Sequence, residues 1–418
     1  MIKERIIGLY KNGFFHIFVG NILNKLLAFI SSIVIVRLVS KAEYASLAYV
    51  DNIYSYVALF AGMGMGSAIL KYCSSDNQRK NLSYLKFALK YGILFQIGVV
   101  AFLIIAALLF PFPFSDIKDL VLFYCLYPFL DYCFLVILSI IRALLQSKLY
   151  VKISVIQMGS VMTAGIVLPL FVGVKGVLAA RYIAVLIAGS MGAAFIINRF
   201  KGIKEERLSR SEIKAFLSMS VSLLIANLFS LVMPLNETFL INNLIKDQVI
   251  TANYKVATML PAQITFISSS LMVYYFPIIA RMEDKKEVWK LSKKIELFTG
   301  IAILFTVVCG VVLSKYIILG IYGERYYDAV EISRTFWIVY SLNAAFRMIP
   351  MNILPAIGKA RFNAIAAGVT SIIHLGIDYF MVSTYGIAGV AVATALMYFL
   401  SGVSYWIYLY SCCRKAKE

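Results

Sequence analysis

The sequence predicts an all-α polytopic membrane protein with twelve membrane-spanning helices. Hydrophobic residues make up 61% of the 418, well above the usual share of a soluble domain, and the mean hydropathy is +0.84. Long apolar runs recur along the whole chain, and a span needs about 20 mostly apolar residues. The basic residues, which give a net charge of +19, stand at the ends of these runs. That placement is typical of topology determinants, so we expect no nucleic-acid partner.

The apolar runs place the spans in order along the chain. Their predicted ranges are 14–37, 44–70, 87–111, 119–141, 153–173, 176–198, 216–241, 251–279, 296–319, 330–355, 363–383 and 387–411. The basic N-terminus, MIKERIIGLYKNGFF, runs into a full-length span with no small-residue cleavage site, which indicates an uncleaved first helix. No loop is long enough to fold as a domain, so function is expected within the helices or at their ends.

Charge asymmetry orients the helices. With the N-terminus in the cytoplasm, 28 basic residues fall in inside segments and seven in outside loops. Because Lys and Arg are enriched in cytoplasmic loops, both termini are predicted to be cytoplasmic. The remaining five of the 40 basic residues fall within the spans: Lys25, Arg181, Lys255, Arg334 and Arg347.

A repeated motif indicates an internal duplication. Residues 173–180 read GVKGVLAA and residues 386–393 read GIAGVAVA, which both match G-x-x-G-V-x-x-A at an offset of 213. A weaker echo at an offset of 205 pairs Lys41 with Lys246. The sequence therefore predicts two six-helix bundles, residues 1–205 and 206–418, related by pseudo-twofold symmetry along the membrane normal. Secondary transporters use parallel repeats of this kind, with a central cavity.

Charged and polar residues within the spans are the candidate site, since such residues usually face a bundle interior or a water-filled cavity. A phosphate-bearing substrate is suited to cations and amides. The predicted substrate-binding residues are Lys25, Arg181, Lys255, Arg334, Arg347, Asn21 and Asn24. Buried carboxyls could carry a coupling proton or sodium ion. The predicted ion-coupling residues are Asp51, Asp131, Glu237, Asp378 and His374.

Structural roles are the alternative for several of these residues. Lys25 with Asp131, and Lys255 with Glu237, could form structural ion pairs, and His374 could be a packed polar residue. The three charges nearest the outer interface could simply snorkel. They are Asp51, Arg181 and Arg334.

Predicted span 10 contains two arginines that lie on different faces of an ideal helix. Arg334 and Arg347 are thirteen residues apart, roughly 140° around an ideal helix. Both cannot face one cavity unless Pro350 or local unwinding reorients the helix. The deeper residue, Arg347, is favoured as the substrate ligand.

The six cysteines have no metal-binding or redox spacing, so neither a metal nor a cofactor is expected beyond a coupling ion. No nucleophile–base constellation is present in the sequence, and no catalytic residue is predicted. The chain is therefore not expected to be an enzyme.

Four features link this chain to a known family: RLVSKAEYASLAYV (37–50), YGERYYDAV (322–330), the paired G-x-x-G-V turns and the twelve spans. In these features the chain resembles the polysaccharide flippases of the multidrug/oligosaccharidyl-lipid/polysaccharide exporter superfamily. It implies transfer of an undecaprenyl-diphosphate-linked O-antigen or capsule unit across the bacterial inner membrane by alternating access, driven by a proton or sodium gradient. It also implies membrane lipids, a polysaccharide polymerase and a chain-length regulator as partners of a monomer.

Three other functions are alternatives, and each is disfavoured by a feature of the sequence. A multidrug or cation exporter of the same superfamily would favour an acidic and aromatic cavity, which five intramembrane cations argue against. A peptidoglycan-precursor flippase should have spans beyond twelve. A membrane glycosyltransferase or O-antigen polymerase usually presents a sizeable outer loop, and the longest outer segment here, around residues 315–330, is small.

Overall fold

The computed structural model describes residues 14–75 and 77–414, without the side chains of 14–18, 226, 227, 229–234, 273 and 277. The basic N-terminal stretch lies outside these residues. The described part is helical, with no strand. It divides into two compact units between Leu228 and Phe229, inside a continuous helix.

Unit 1 runs to Leu228 and contains nine helices and the first part of a tenth. They are α1 (Phe14–Leu38), α2 (Lys41–Leu59), α3 (Met65–Tyr72), α4 (Gln78–Leu109), α5 (Ile117–Tyr124), α6 (Tyr127–Ala143), α7 (Ser147–Val167), α8 (Pro169–Val172), α9 (Val174–Arg199) and α10 (Arg210–Leu240).

Unit 2 begins at Phe229 with the rest of α10. Its further helices are α11 (Gln248–Met259), α12 (Thr265–Ile279), α13 (Lys285–Tyr322), α14 (Ala329–Ser341), α15 (Met348–Ala356) and α16 (Ala360–Arg414). Two π-helical turns, Ile241–Ile245 and Leu342–Arg347, follow α10 and α14.

Nine helical segments of the described residues are long and apolar enough to cross a membrane. The last of them, α16, has 55 residues and is broken at Gly386, between predicted spans 11 and 12. Predicted spans 7 and 10 are helical but are not among the nine. The chain is thus a multi-pass helical membrane protein, and the count of twelve spans stays a prediction.

The repeated glycine motif adopts the same backbone conformation in both units. Gly173 has φ 58° and ψ −142°, and Gly386 has φ 59° and ψ −135°. Only glycine adopts this region readily. The second glycine of each motif, Gly176 or Gly389, lies against a backbone carbonyl of the preceding helix, where a Cβ would overlap it. One glycine therefore makes the turn, and the other permits the close helix contact.

Each unit also contains a predicted span that is broken by a 3₁₀ turn. The turns are Ala61–Gly64, between α2 and α3, and Pro261–Ile264, between α11 and α12. In unit 1 the Tyr132 ring fills the space beside Gly62, and its hydroxyl donates a hydrogen bond to the Ala88 carbonyl at 2.7 Å. The break in α2–α3 is therefore held by a fully buried tyrosine from α6.

The first turns of α10 pack within unit 1. Phe216 is fully buried and stacks on Tyr84 of α4, with ring centroids 5.4 Å apart. The first turn of α10 and the connector that precedes it are also attached to α4. Lys80 Nζ lies 2.8 Å from Glu212 Oε1, and the Ser83 hydroxyl both donates to the Glu206 carbonyl and accepts from its N–H. These polar contacts fix the connector on unit 1 at the end of predicted span 3.

Candidate functional site

Two buried carboxylates meet in unit 2. Glu237 of α10 accepts hydrogen bonds from the hydroxyls of Tyr254 and Thr394, each at 2.8 Å. Asp378 of α16 accepts one from the Asn236 amide, at 2.8 Å from Nδ2 to Oδ2. Glu237 is 3% exposed and Asp378 is fully buried. Three helices, α10, α11 and α16, thus converge on two acidic side chains.

Some buried polar atoms at this carboxylate pair have no hydrogen-bond partner. Asp378 Oδ1 is buried and has no hydrogen-bond partner, and both ring nitrogens of His374, one turn earlier on α16, are in the same condition. The hydrogen bonds that the structure gives the two carboxylates come from Tyr254, Thr394 and Asn236, and Lys255 is close enough to Glu237 to interact with it electrostatically. Burying an ionised oxygen without a partner is costly, and a cation bound at Asp378 Oδ1 would relieve that cost.

Arg347 lies in an aromatic setting in the same unit. Its guanidinium is over the rings of Tyr398 and Tyr405, 5.7 and 5.9 Å from their centroids, and Nη1 donates to Asn343 Oδ1 at 3.1 Å. His374 is close enough to interact with it electrostatically. Arg347 has no carboxylate within 4 Å among the described residues, and its buried Nε has no hydrogen-bond partner. The group is held in place but is not neutralised.

The helix that carries Arg347 is locally unwound. The π-helical turn Leu342–Arg347 ends at this residue, and Pro350 follows within α15. Local unwinding of this kind is one of the conditions under which both predicted arginines could face one cavity. Arg334 instead forms an ion pair with Glu331 one turn before it, at 2.5 Å. The structure therefore gives the two arginines different surroundings.

Arg181 and Asp51, which were predicted to serve substrate and ion, form a bidentate ion pair in unit 1. Arg181 Nη2 lies 2.8 Å from Asp51 Oδ2, and Nη1 contacts Asp51 Oδ1. Nη1 also donates to the Tyr124 hydroxyl at 3.3 Å, and the guanidinium lies 5.6 Å from the centroid of that ring. Each charge thus already has a partner.

Asp131 is bonded to a tyrosine. The Tyr54 hydroxyl donates to Asp131 Oδ2 at 2.5 Å, and the Tyr54 ring packs on Tyr124 and Tyr127. The hydrogen bond that the structure gives Asp131 thus comes from α2 rather than from Lys25. This acid belongs to a tyrosine cluster inside unit 1.

The polar stripe predicted on span 1 is divided between two environments. Asn24 donates to the Ser154 hydroxyl of α7 at 3.1 Å, so it faces the inside of unit 1. Asn21 and Lys25 are exposed on the surface of α1. Lys255, a cation of unit 2, is half-buried on α11, next to Tyr254.

One cavity within unit 1 has an apolar lining. It has a volume of about 590 Å³ between α2 and α4 and is bordered by Tyr56, Phe60 and Phe102. None of the predicted site residues lines it. The charged sites and this pocket are thus separate features.

Sequence reasoning did not identify the groups that hold the site residues. They are Asn236, Thr394, Tyr398, Tyr405 and Asn343. Each is an ordinary uncharged residue of an apolar helix, and the partners lie up to 157 positions apart. Helical spacing offers a signal only for Asn343, which stands one turn before Arg347.

The family of the chain follows from its sequence. A family model described as "Polysaccharide biosynthesis protein" matches residues 10–283. The chain belongs to this family. A Shigella flexneri protein named "Putative O-antigen transporter" is 24% identical over 242 residues, 57% of this chain. The match covers 56% of that relative, so the chain spans little more than half of its length.

Solved structures place this family member among known transporter folds. An inward-facing MATE family multidrug transporter of the MOP superfamily has a TM-score of 0.75 at 14% identity, over 94% of this chain and 96% of that one. The lipid II flippase MurJ has a TM-score of 0.76 at 16% identity, over 94% and 86%. Both structures are less than 25% identical to this chain, so the likeness shows that the chain shares their fold.

Proposed function

We propose that the protein is a flippase that transfers an undecaprenyl-diphosphate-linked oligosaccharide, an O-antigen or capsule repeat unit, across the bacterial inner membrane. Membership of the polysaccharide biosynthesis family supports the class of substrate. The observation that carries the proposal is Arg347, a guanidinium that has no carboxylate partner among the described residues and lies within 6 Å of the centroids of two tyrosine rings. A diphosphate can bind the cation, and sugar rings can pack on the aromatic faces.

The other predicted cations have graded support. Lys25 and Asn21, on the exposed surface of α1, can reach a charged ligand, and Lys255 adds a half-buried cation in unit 2. Arg181 and Arg334 already carry carboxylate partners, and Asn24 is bonded to Ser154. We therefore rank Arg347 first for the diphosphate.

We further propose that the carboxylate pair of unit 2 binds the coupling ion, a proton or a sodium ion. Asp378 Oδ1 is a buried acceptor without a donor, and the oxygens of Glu237 and Thr394 lie in the same cluster. Carboxylate and hydroxyl oxygens suit a hard monovalent cation. The described residues contain no group of three His, Cys, Asp or Glu side chains of the kind that holds a transition metal.

Alternating access within the inner membrane, cytoplasmic termini, a monomeric state and supply of a polymerase and a chain-length regulator remain parts of this proposal. The multidrug exporter stays the second candidate, because a MATE transporter shares the fold. Arg347 disfavours it, since cationic drugs would meet a like charge.

Deletion of the gene tests the proposal. A flippase predicts that a lipid-linked oligosaccharide accumulates at the cytoplasmic face, where it stays inaccessible to a glycan-modifying enzyme added to intact spheroplasts. Loss of a polymerase would leave single repeat units accessible at the outer face. Loss of a drug exporter would change sensitivity to cationic drugs and leave the glycan intermediates unchanged.

A further inference from the structure

The two units can be compared residue by residue, because the glycine turns fix a register. Gly176 lies against the carbonyl of Leu168, and Gly389 lies against the carbonyl of Met381. Both partners of the second contact are 213 positions after those of the first. An offset of 213 therefore pairs the last two spans of each unit in contact as well as in sequence.

The first spans of the units can be paired through a second contact. At an offset of 213, Asp378 corresponds to Gly165, where an added Cβ would lie 4.0 Å from Ser31 Oγ. Asp378 itself contacts Asn236. Ser31 and Asn236 are 205 positions apart, the offset that the sequence analysis found at the first turn of each half.

This register exposes a difference between the units. The carboxylates of unit 2, Asp378 and Glu237, have Gly165 and Ser32 as their counterparts in unit 1. Thr394, whose hydroxyl contacts Glu237, has Arg181 as its counterpart. Unit 1 thus has no carboxylate at the two acidic positions and a permanent cation at the third.

Arg181 is surrounded by groups that a bound cation would use. Asp51 offers both carboxylate oxygens, and Tyr124 offers its hydroxyl oxygen and its ring face. Oxygen ligands and aromatic faces are common partners of monovalent cations in proteins. The side chain of Arg181 is 20% exposed, so its charge is largely withdrawn from solvent.

We infer that Arg181 is a tethered cation, which takes in unit 1 the role that an exchangeable cation takes in the carboxylate pair of unit 2. A single cation is then exchanged in each transport cycle, and Asp51 serves as the fixed counter-charge of Arg181. The inference rests on the ion-coupling part of the proposed function. It removes Arg181 and Asp51 from the substrate and coupling sites.

Chemical rescue tests the inference on the purified full-length chain in detergent. The variants are made in an Asp378→Asn background, which removes one carboxylate of the proposed ion site in unit 2. In this background Arg181→Ala should leave Asp51 without its counter-charge. Its unfolding temperature should then rise by at least ~2 °C when sodium chloride or millimolar methylguanidinium chloride replaces choline chloride at constant ionic strength. Arg334→Ala in the same background is the matched control, since Arg334 pairs with an exposed carboxylate, and it should show no such rise.

Further variants test whether the rescue depends on the Asp51 carboxylate and on the charge at position 181. Adding Asp51→Asn should abolish it, and Arg181→Lys, which keeps the charge, should not need it. Arg181→Gln replaces the alanine variant if that protein does not accumulate. No rise in the Arg181 variant, or an equal rise with Arg334→Ala, would overturn the inference. If the unfolding temperature of the wild type changes with neither sodium nor pH, the ion-coupling part of the proposed function fails. The Arg181 variants do not decide that question.

Discussion

Asp378 and Asn236 form a hydrogen bond of 2.8 Å between α16 and α10, in a place where both side chains are buried. The Asn236 amide satisfies one oxygen of Asp378, and the other has no partner. A neighbouring carboxylate, Glu237, accepts hydrogen bonds from two hydroxyls. The arrangement orients both acidic groups and leaves Asp378 Oδ1 available to a bound cation.

Asp378→Asn should therefore uncouple transport from its driving ion. The amide keeps the volume of the side chain but removes the charge that attracts the cation. Transport of the lipid-linked substrate in proteoliposomes should become independent of an imposed sodium or proton gradient, at unchanged protein level. Glu331→Gln, at an exposed carboxylate, is the control and should retain the dependence. An unchanged gradient dependence in Asp378→Asn would exclude this residue from coupling.

Arg347→Ala should reduce surface polysaccharide without lowering the amount of protein. Loss of a charge-assisted contact to the diphosphate costs about 1.5–3 kcal/mol, or roughly a ten- to hundredfold loss in the apparent transport rate. Cell-surface glycan is measured at matched protein levels. Arg334→Ala should remain near wild type, because that arginine pairs with Glu331. Equal loss in both variants would indicate a general effect of helix charge and not a substrate contact.

The fold class was predictable from the sequence because apolar length and charge placement act along the chain. The turn at Gly386 was predictable for the same reason, since a motif of four residues specifies the conformation of its first glycine and the close contact of its second. The 3₁₀ turn at Ala61–Gly64 was not predicted, although it contains two glycines with positive φ, Gly62 and Gly64. The ring that packs beside Gly62 comes from α6, which is remote in sequence.

The candidate site was predictable only as a set of charges. Intramembrane cost identifies Arg181 and Arg347 equally well, because both place a guanidinium within a span. What separates them is the neighbour: a carboxylate of α2 for Arg181, and tyrosine rings for Arg347. Such pairings depend on helix packing between residues that are 51 to 130 positions apart, which a single sequence does not contain.

Lys80→Ala should release the connector before α10 from α4. Lys80 donates to Glu212 and is the main cause of a pKa of about 2 for that carboxyl, with further donation from Ser209. Limited trypsin digestion in the connector should become severalfold faster, while Lys148→Ala should match the wild type. The exchange of charges in Lys80→Glu with Glu212→Lys should restore resistance; failure to do so would contradict an electrostatic clamp.

The pH dependence of this clamp follows from the same shift. The pKa of Glu212 is lowered from 4.5 to about 2 by folding, so the contribution of its charge is complete above about pH 4.5 and disappears as the pH falls toward 2. Trypsin resistance should therefore be constant between pH 7 and 9 in the wild type, a range far above both values. A fall in resistance within this range would contradict the assignment.

An added side chain should strain the backbone to a similar extent at the two turn glycines, but it should meet a close neighbour at only one of them. Gly173→Ala and Gly386→Ala both force an L-residue into a conformation that glycine alone adopts readily, at a cost of about 1–3 kcal/mol each. Gly173→Ala should lower the unfolding temperature further, because its Cβ would lie 2.6 Å from Glu43 Oε1, whereas the nearest atom at Gly386 is 4.0 Å away. Gly300→Ala, with no atom within 4 Å of the added Cβ, should be neutral or stabilising. A larger loss for Gly386→Ala than for Gly173→Ala would contradict this reading of the two turns.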